Sequence, residues 1–270
     1  MRNNSIDVEE LKRIQLNILL AVHDYCINNN INYSLSSGTL LGAVRHKGFI
    51  PWDDDIDICL LRSEYKKLET VFPQILEGKY MFHTLDRDES WKRPWGKICD
   101  KRTELEEGTS CNQRGEGIGI DVFPMDDVPD DSYLFNKWNK RRRLYVLLWS
   151  IKPITWSRNR SFINNLIIII IRFFLFPISL RRLAKVIDSY IQKTNEKGYS
   201  RVYESCDSLK AINNQSKDDF DDYIDMPFEG HLFKVIKGYD DYLRNIYGNY
   251  MVLPPENKRV STHNFTAWWK

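Results

Sequence analysis

The amino-acid sequence predicts an α+β protein, in which helices and short strands share one large domain that carries a helical insertion. Apolar residues recur at helical spacing over 7–30, whereas apolar and polar residues alternate over 55–60, as in a half-buried strand. A content of 42% hydrophobic and 28% charged residues is typical of folded globular chains. The 270 residues are about twice the usual domain size, which suits one large domain or a domain with an insertion.

The charge balance and the cysteines exclude several classes of protein. The 39 Lys and Arg residues against 37 Asp and Glu residues give a net charge of +2, too balanced for a general nucleic-acid binder. Five scattered cysteines form no Cys-x-x-Cys pair, so neither a disulfide framework nor a structural zinc site is indicated. No apolar run resembling a secretory signal stands near the start, and we expect a cytoplasmic protein.

Elements of the first half follow from periodicity and capping residues. Apolar residues from Val8 to Cys26 predict the first helix, and Asp7 with Glu10 forms a capping box at its start. Gly48 and Pro51 predict a turn. The other predicted elements of this half are a strand at 31–35, a short helix at 39–44, a strand at 55–60, a helix at 63–72 and strands at 80–85, 96–100 and 118–123.

The middle of the chain changes character after residue 131. A helix over 132–149 carries four consecutive basic residues at 140–143, and a strongly apolar segment follows over 162–180. Polar residues and a proline interrupt that segment, so it does not supply the roughly 20 apolar residues of a spanning helix. Two interpretations stay open: a buried helix that packs on the core, and an interfacial hairpin at the inner membrane face with the basic run toward anionic lipid. Amphipathic helices are predicted at 183–198 and 239–247.

Three aspartates stand where the strand at 55–60 begins. Residues two apart on a strand point to the same side, so Asp55 and Asp57 project together, and Asp53 joins them if the extended chain starts early. Three carboxylates on one side repel unless a hard cation lies between them, which points to Mg²⁺ or Mn²⁺. The alternative is a solvated acidic loop, but the alternation with Ile56 and Ile58 favours a half-buried strand.

A glycine precedes the short helix upstream of these acids. Gly38 lets a phosphate approach the backbone closely, and a helix that starts at Thr39 directs free N–H groups toward such an anion. A lone Ser-Gly-Thr is more often a simple turn. Together with the nearby aspartates, it suggests a site for phosphate and metal.

Two sequence blocks resemble a known family. Gly38 to His46 followed by Ile50 to Asp57 resembles the signature of the LicD phosphotransferases, which are relatives of fukutin and fukutin-related protein in the nucleotidyltransferase superfamily. Tyr247 to Arg259 is similar to the closing motif of these proteins. Members often have a histidine pair after that motif, whereas this chain has only His263. The resemblance covers 6–125 and 226–265 and is vague between them.

The resemblance implies a nucleotidyltransferase-type mixed sheet flanked by helices, with a catalytic core over 1–131, the apolar helical insertion over 132–200 and a segment over 201–270 that closes the active site. It implies that Asp55 and Asp57 are catalytic metal ligands, that Asp53 is a further ligand, and that a third catalytic acid and metal ligand lies on a neighbouring strand, for which Asp121 is the best candidate. The candidate substrate-binding residues are Ser37, Gly38, Thr39, Arg45, Lys97, Lys258, Arg259 and His263.

For Arg45 and Lys97, the alternative to substrate binding is ordinary surface charge. For Lys258, Arg259 and His263, the alternative is a basic tail exposed to solvent. Trp52, Trp91 and Trp95 offer a face for a quaternary ammonium, the alternative being core or rim aromatics.

The activity that the resemblance implies is metal-dependent transfer of phosphocholine from CDP-choline to a sugar hydroxyl of a bacterial surface glycan precursor, such as teichoic acid, lipopolysaccharide or capsule. Transfer of ribitol phosphate, glycerol phosphate or a nucleotidyl group is an alternative within the same class. A different class is a non-catalytic protein that anchors a glycan assembly complex at a membrane surface. Intact aspartates argue against this last reading, because a binding module does not need carboxylates held together at a desolvation cost.

Overall fold

The computed structural model describes residues 4–107, 116–206, 215–261 and 265–270. Within them, helices and strands mix along the chain as the sequence predicts, which confirms the α+β class. The helices are α1 (Val8–Asn28), α2 (Ser37–His46), α3 (Arg62–Val71), α4 (Ser132–Ile151), α5 (Phe162–Leu175), α6 (Leu180–Gln192) and α7 (Tyr239–Tyr247). The strands are β1 (Ser5–Ile6), β2 (Ser34–Leu35), β3 (Asp57–Leu61), β4 (Tyr80–His83), β5 (Gly96–Asp100), β6 (Thr103–Glu107), β7 (Gly119–Val128), β8 (Arg201–Glu204), β9 (Gln215–Ser216), β10 (Tyr223–Phe228), β11 (His231–Ile236) and β12 (Phe265–Trp269).

The main sheet is mixed and is built around its longest strand, β7. Its order is β2-β3-β7-β5-β4, and β8 pairs with β7 beyond the end of β5 and continues the sheet to β9. Strands β3 and β7 run parallel, whereas the other pairs of this sheet in the described residues are antiparallel. Three-stranded β1-β12-β6 and the hairpin β10-β11 form two smaller sheets.

Helix α1 begins and packs as its sequence predicts. The Asp7 carboxylate accepts a hydrogen bond of 2.8 Å from the backbone N–H of Glu10, which caps the first turn. The apolar stripe of α1 is buried against β5 and β7. Gln15 reaches through this layer and donates to the carbonyl oxygen of Gly119 at 3.3 Å. The apolar side of helix α1 therefore covers one face of the main sheet.

Helices α4 and α6 are joined to the core, but α5 between them is not. On α6, the apolar side is buried and Asp188 forms a 3.0 Å ion pair with Arg62 of α3. On α5, Asn165 and Leu175 are buried, whereas Phe173 and Phe174 are 76% and 73% exposed. The interpretation of this segment as a buried core helix is therefore wrong, because its apolar side faces outward. No single described helix is long and apolar enough to cross a membrane, and the pair α5 and α6, which together have the length and composition, is bent by 85°.

The basic run of α4 is divided between the surface and the interior. Arg142 is fully buried, donating to the Asn139 side chain and to the carbonyl oxygen of Ser205, both at 2.9 Å. Lys140, Arg141 and Arg143 are exposed. The expectation that the whole run faces lipid is therefore wrong for Arg142, which instead ties α4 to the end of β8.

Candidate active site

The loop that leads into α2 is held by the C-terminal part of the chain. The Ser37 backbone has a positive φ of 48°, and its N–H donates to the Tyr242 hydroxyl at 3.3 Å. The same hydroxyl lies 3.0 Å from the Ser36 hydroxyl. Tyr242 is buried on α7, so a distant helix fixes the turn at which the predicted phosphate-binding residues begin. Sequence reasoning missed Tyr242, because nothing local links it to the loop.

Gly38 stands where a side chain would collide with a carboxylate. A Cβ atom at this position would lie 2.6 Å from Asp53 Oδ2, closer than such contacts occur. Next to it, Thr39 is buried and its hydroxyl accepts a 2.8 Å hydrogen bond from the Asp57 backbone N–H. The structure therefore brings Gly38 and Asp53 together, and Thr39 positions the start of β3.

Asp57 and Asp121 lie side by side on the parallel strands β3 and β7. They are paired in register, and the Asp121 N–H donates to the carbonyl oxygen of Ile56 at 2.9 Å. Lys97 on β5 is the register partner of Asp121 on its other side, with its Nζ 3.8 Å from Asp121 Oδ1. Two candidate acids and a candidate substrate-binding lysine thus occupy three adjacent strands.

Burial and repulsion together raise the pKa of the Asp57 carboxyl well above its usual range. Burial is the largest cause, followed by the negative charges of Asp55, Asp121, Glu204 and Asp53. The three aspartates are site residues that the sequence predicts, whereas Glu204 is not predicted from the sequence. In the described residues, no three His, Cys, Asp or Glu side chains are already arranged as a metal-binding group.

Glu204 enters this acidic region from the end of β8. It is paired in register with Met125, and its charge also raises the pKa of Cys59 and of Tyr247. Glu204 lies far in the sequence from the aspartates at 53–57, and the short apolar alternation before it does not indicate a role in the site. Tertiary pairing alone brings it near Asp57.

Lys97 belongs to a buried ionic network as well as to the acidic region. Its Nζ lies 3.4 Å from Glu116 Oε1, and Arg93 also pairs with that carboxylate. All three side chains are almost fully buried, and the charges of Lys97 and Arg93 hold the pKa of Glu116 low although burial opposes this effect. Lys97 therefore bridges a structural ion pair and the candidate acid Asp121.

A cleft of about 660 Å³ opens beside Gly38 and Asp53. Its other wall comes from the second sequence block, including Tyr247 and Tyr250, and Lys258 and Arg45 also line it. The Arg45 Nη1 atom donates to the carbonyl oxygen of Tyr250 at 2.8 Å, which joins α2 to the second sequence block across the cleft. The two motif blocks, about 200 residues apart, thus form one site.

Positive charge collects on the side of this cleft around Trp52. The Arg259 guanidinium lies 5.9 Å from the centre of the Trp52 ring and donates to the carbonyl oxygen of Pro254 at 2.7 Å. Burial lowers the pKa of Arg45, and the nearby Arg259 adds to this effect. The charges of Arg45 and Arg259 thus act on each other, and guanidinium groups are well suited to bind anionic ligands such as phosphate.

Tyr247 links the basic rim to the acids. Burial raises the pKa of its hydroxyl, and the charges of Asp57, Asp53, Glu204 and Asp55 add to the rise. The residue belongs to the second sequence block, yet sequence reasoning gave it no role. Tyr247 therefore lines the cleft and is within electrostatic range of the candidate acids.

Other candidates lie elsewhere. Trp91 is buried and stacks on His83, and Trp95 stacks on Phe123, so these two are core aromatics and only Trp52 borders the cleft. His263 falls outside the described residues.

Comparisons with known proteins identify the family of the chain. Residues 30–156 match the family model described as LicD/FKTN/FKRP, nucleotidyltransferase domain. The chain is 32% identical over 269 residues to the lipopolysaccharide cholinephosphotransferase LicD of Haemophilus influenzae, covering 96% of both chains. It is 35% identical over 108 residues to an uncharacterized protein of Rickettsia prowazekii, covering 40% of this chain and 37% of that one.

The fold holds carboxylates and basic residues near one cleft, and the family match places the protein among the enzymes that transfer phosphate-containing groups. The chain belongs to the LicD family and is a LicD-type phosphotransferase. The match to the family model spans α2, β3 and β7, which carry the first motif block and the candidate acids.

Proposed function

We propose that this enzyme transfers phosphocholine from CDP-choline to a sugar hydroxyl of a lipopolysaccharide or related surface-glycan precursor, with Mg²⁺ or Mn²⁺ as cofactor. The observation that carries the proposal is the register pairing of Asp57 and Asp121, whose neighbour Asp53 lines a cleft together with Arg45 and Lys258. The name of the Haemophilus influenzae relative supports the choline and lipopolysaccharide parts.

The residue types in the acidic region suit a hard divalent cation, although the described side chains are not arranged around a common point. Asp53, Asp55, Asp57 and Asp121 would supply the oxygen ligands that Mg²⁺ and Mn²⁺ prefer, and Glu204 is a fifth acid whose charge acts on Asp57. Their mutual repulsion, which raises the pKa of Asp57, is the kind that a bound cation relieves. When bound, such an ion neutralises the diphosphate and the charge that develops on the leaving phosphate.

The chain's own residues then bind and orient the donor. Gly38 lets the Asp53 carboxylate lie close to the start of α2, while Arg45 and Lys258 in the cleft, with Arg259 beside Trp52, would neutralise phosphate oxygens. The acceptor hydroxyl attacks the phosphorus that carries choline, the bond to the cytidine monophosphate oxygen breaks, and Asp121 accepts the hydroxyl proton.

The test is release of cytidine monophosphate by the purified enzyme from CDP-choline, CDP-ribitol and CDP-glycerol, with Mg²⁺ or with EDTA, and with a glycan acceptor. We expect metal-dependent release from CDP-choline above the other two donors and labelled choline in the acceptor. Preference for CDP-ribitol or CDP-glycerol would replace the donor assignment. Release of pyrophosphate from CTP instead would indicate nucleotidyl transfer, and no release under any condition would indicate a non-catalytic protein.

A further inference from the structure

Helix α5 exposes its apolar side and turns polar residues toward the protein, the reverse of a usual surface helix. Two of its polar residues face the protein: Asn165 donates to the carbonyl oxygen of Ser157 at 2.8 Å, and Arg172 donates to that of Ile154 at 2.7 Å. Apart from the exposed Asn164 in its first turn, its outward side carries large apolar residues, namely Phe162, Ile163, Ile167, Ile170, Phe173 and Phe174. A contiguous apolar face of this kind marks an interaction surface.

The segment of the chain that carries this face contains basic residues and no acidic residue. Residues 132–187 contain eight Arg and four Lys and no Asp or Glu. Because the whole chain has a net charge of +2, the remaining residues carry a net charge of −10. Several of these basic side chains are exposed around the insertion, namely Lys140, Arg141, Arg143, Arg158, Arg182 and Lys185. The charge asymmetry of the chain is thus concentrated at the exposed apolar helix.

The positive charge around α5 favours an anionic partner for its exposed apolar side. A second copy of this chain would bring two such positive surfaces together, which like-charge repulsion opposes. An anionic lipid surface offers both an apolar interior for the phenylalanine and isoleucine side chains and negative head groups for the surrounding Arg and Lys residues. Trp156, half exposed and packed edge-on against Phe162 at 6.0 Å, is the aromatic type that favours the interface between lipid and water.

The surrounding contacts fix the helix parallel to the bilayer rather than across it. With 14 residues α5 is about 21 Å long, short of the roughly 30 Å of a hydrocarbon core. Helix α6 cannot extend it, since Arg181 donates to the carbonyl oxygens of Leu85, Asp88 and Trp91 and so holds the start of α6 on the protein. Helix α5 can therefore only lie in the plane of the interface.

We propose that α5 docks the enzyme on an anionic membrane surface by inserting its outward apolar side between lipid head groups, with the exposed basic residues of 132–187 contacting those head groups. The proposal does not depend on the donor or the acceptor of the reaction. Docking would place the active site near lipid-linked substrates, but membrane binding can be measured without the reaction.

The experiment is flotation of the full-length protein with vesicles of phosphatidylcholine mixed with phosphatidylglycerol, compared with vesicles of phosphatidylcholine alone. We expect wild type to float with the anionic vesicles, to float less as NaCl rises, and to bind neutral vesicles far more weakly. The double variant Phe173→Glu/Phe174→Glu should bind at least about tenfold more weakly. Arg141→Gln/Arg143→Gln should lose about fivefold for each residue replaced.

Controls separate loss of binding from loss of folding. Leu232→Glu changes a residue that is 59% exposed on β11, away from the insertion, and should bind like wild type. Ile163→Glu/Ile167→Glu repeats the test on another pair of the same side. All variants should melt within a few degrees of wild type, as exposed substitutions do. Equal flotation of wild type and both glutamate pairs, or none by any protein, overturns the proposal. Self-association that Phe173→Glu/Phe174→Glu abolishes, without vesicle binding, overturns it in favour of a second copy.

Discussion

Asp57 and Asp121 are register partners on the two parallel strands at the centre of the main sheet. Parallel pairing sets their side chains on the same face, so the sheet brings together two acids that lie 64 residues apart in the chain. Asp57 adds a second constraint, because its N–H donates to the Thr39 hydroxyl of α2. The glycine-containing helix and the acidic strand are therefore positioned by one hydrogen bond and one strand pair.

Replacing Asp57 by Asn should abolish transfer and leave the fold intact. The change keeps the side-chain volume and removes a carboxylate that four neighbouring acids repel, so the protein should melt at the wild-type temperature or above it in EDTA. Loss of a metal ligand or base should cost at least about 10²-fold in cytidine monophosphate release. Asp225→Asn, a half-exposed aspartate on β10 paired with Lys234, is the matched control. Turnover within a few-fold of wild type at saturating Mg²⁺ would remove Asp57 from the metal site.

Gly38→Ala tests the close approach of Asp53. The new Cβ would lie 2.6 Å from Asp53 Oδ2, so the carboxylate must move and activity should fall. A double-mutant cycle isolates this contact. In an Asp53→Ala background the clash is gone, and adding Gly38→Ala should then cost much less activity than it does in wild type. If both backgrounds lose the same factor, Gly38 acts through something other than Asp53.

Tyr242→Phe removes the hydroxyl that holds the loop before α2. That hydroxyl contacts Ser36 Oγ and the Ser37 N–H, so the variant should lose about 1–3 kcal/mol of the free energy of unfolding, as expected when buried hydrogen-bond partners are left without their pair. Because Ser37 lies beside the proposed phosphate site, we also expect a higher KM for the donor with a smaller change in kcat. Denaturant unfolding and steady-state kinetics check the two effects. Tyr133→Phe, 72% exposed on α4, should change neither. A donor KM equal to wild type would separate the loop from donor binding.

Local patterns in the sequence predict most of the first half of the site. The helical spacing before Asn30 and the alternation from Asp55 to Leu60 depend on neighbours in the chain, and α1 forms where the spacing places it. Strand β3 forms as well, but it begins at Asp57, so Asp55 lies before the strand and not on it as predicted. The strand predicted at 31–35 is shorter than expected and is present only as β2. Upstream of it, the backbone N–H groups of Ile31 and Asn32 donate to the Cys26 carbonyl and the Glu64 carboxylate instead of to a strand.

Long-range contacts could not be predicted in the same way. Glu204 and Tyr242 reach the site only because β8 pairs with β7 and α7 packs on α2. Arg142 looks like its basic neighbours in the sequence, yet its place on the inner side of α4 buries it. Composition also could not orient α5, since a helix that is apolar on most positions suits a core or a membrane surface equally well. Its orientation is set by the hydrogen bonds of Asn165 and Arg172 to the preceding loop.

Glu204→Gln tests the acid that only the structure reveals. Its charge contributes to the raised pKa of Asp57 and of Tyr247, so the carboxylate belongs to the same electrostatic site. If it helps to hold the cation, the variant should need a higher Mg²⁺ concentration for half-maximal activity, by about 10–100-fold as for residues that support metal ligands. At saturating Mg²⁺ most of the activity should return, which separates weakened metal binding from lost chemistry. Glu64→Gln, whose carboxylate accepts from the Asn32 N–H away from the acids, is the matched control and should keep the wild-type Mg²⁺ dependence. An unchanged Mg²⁺ titration in Glu204→Gln would show that this glutamate takes no part in cation binding.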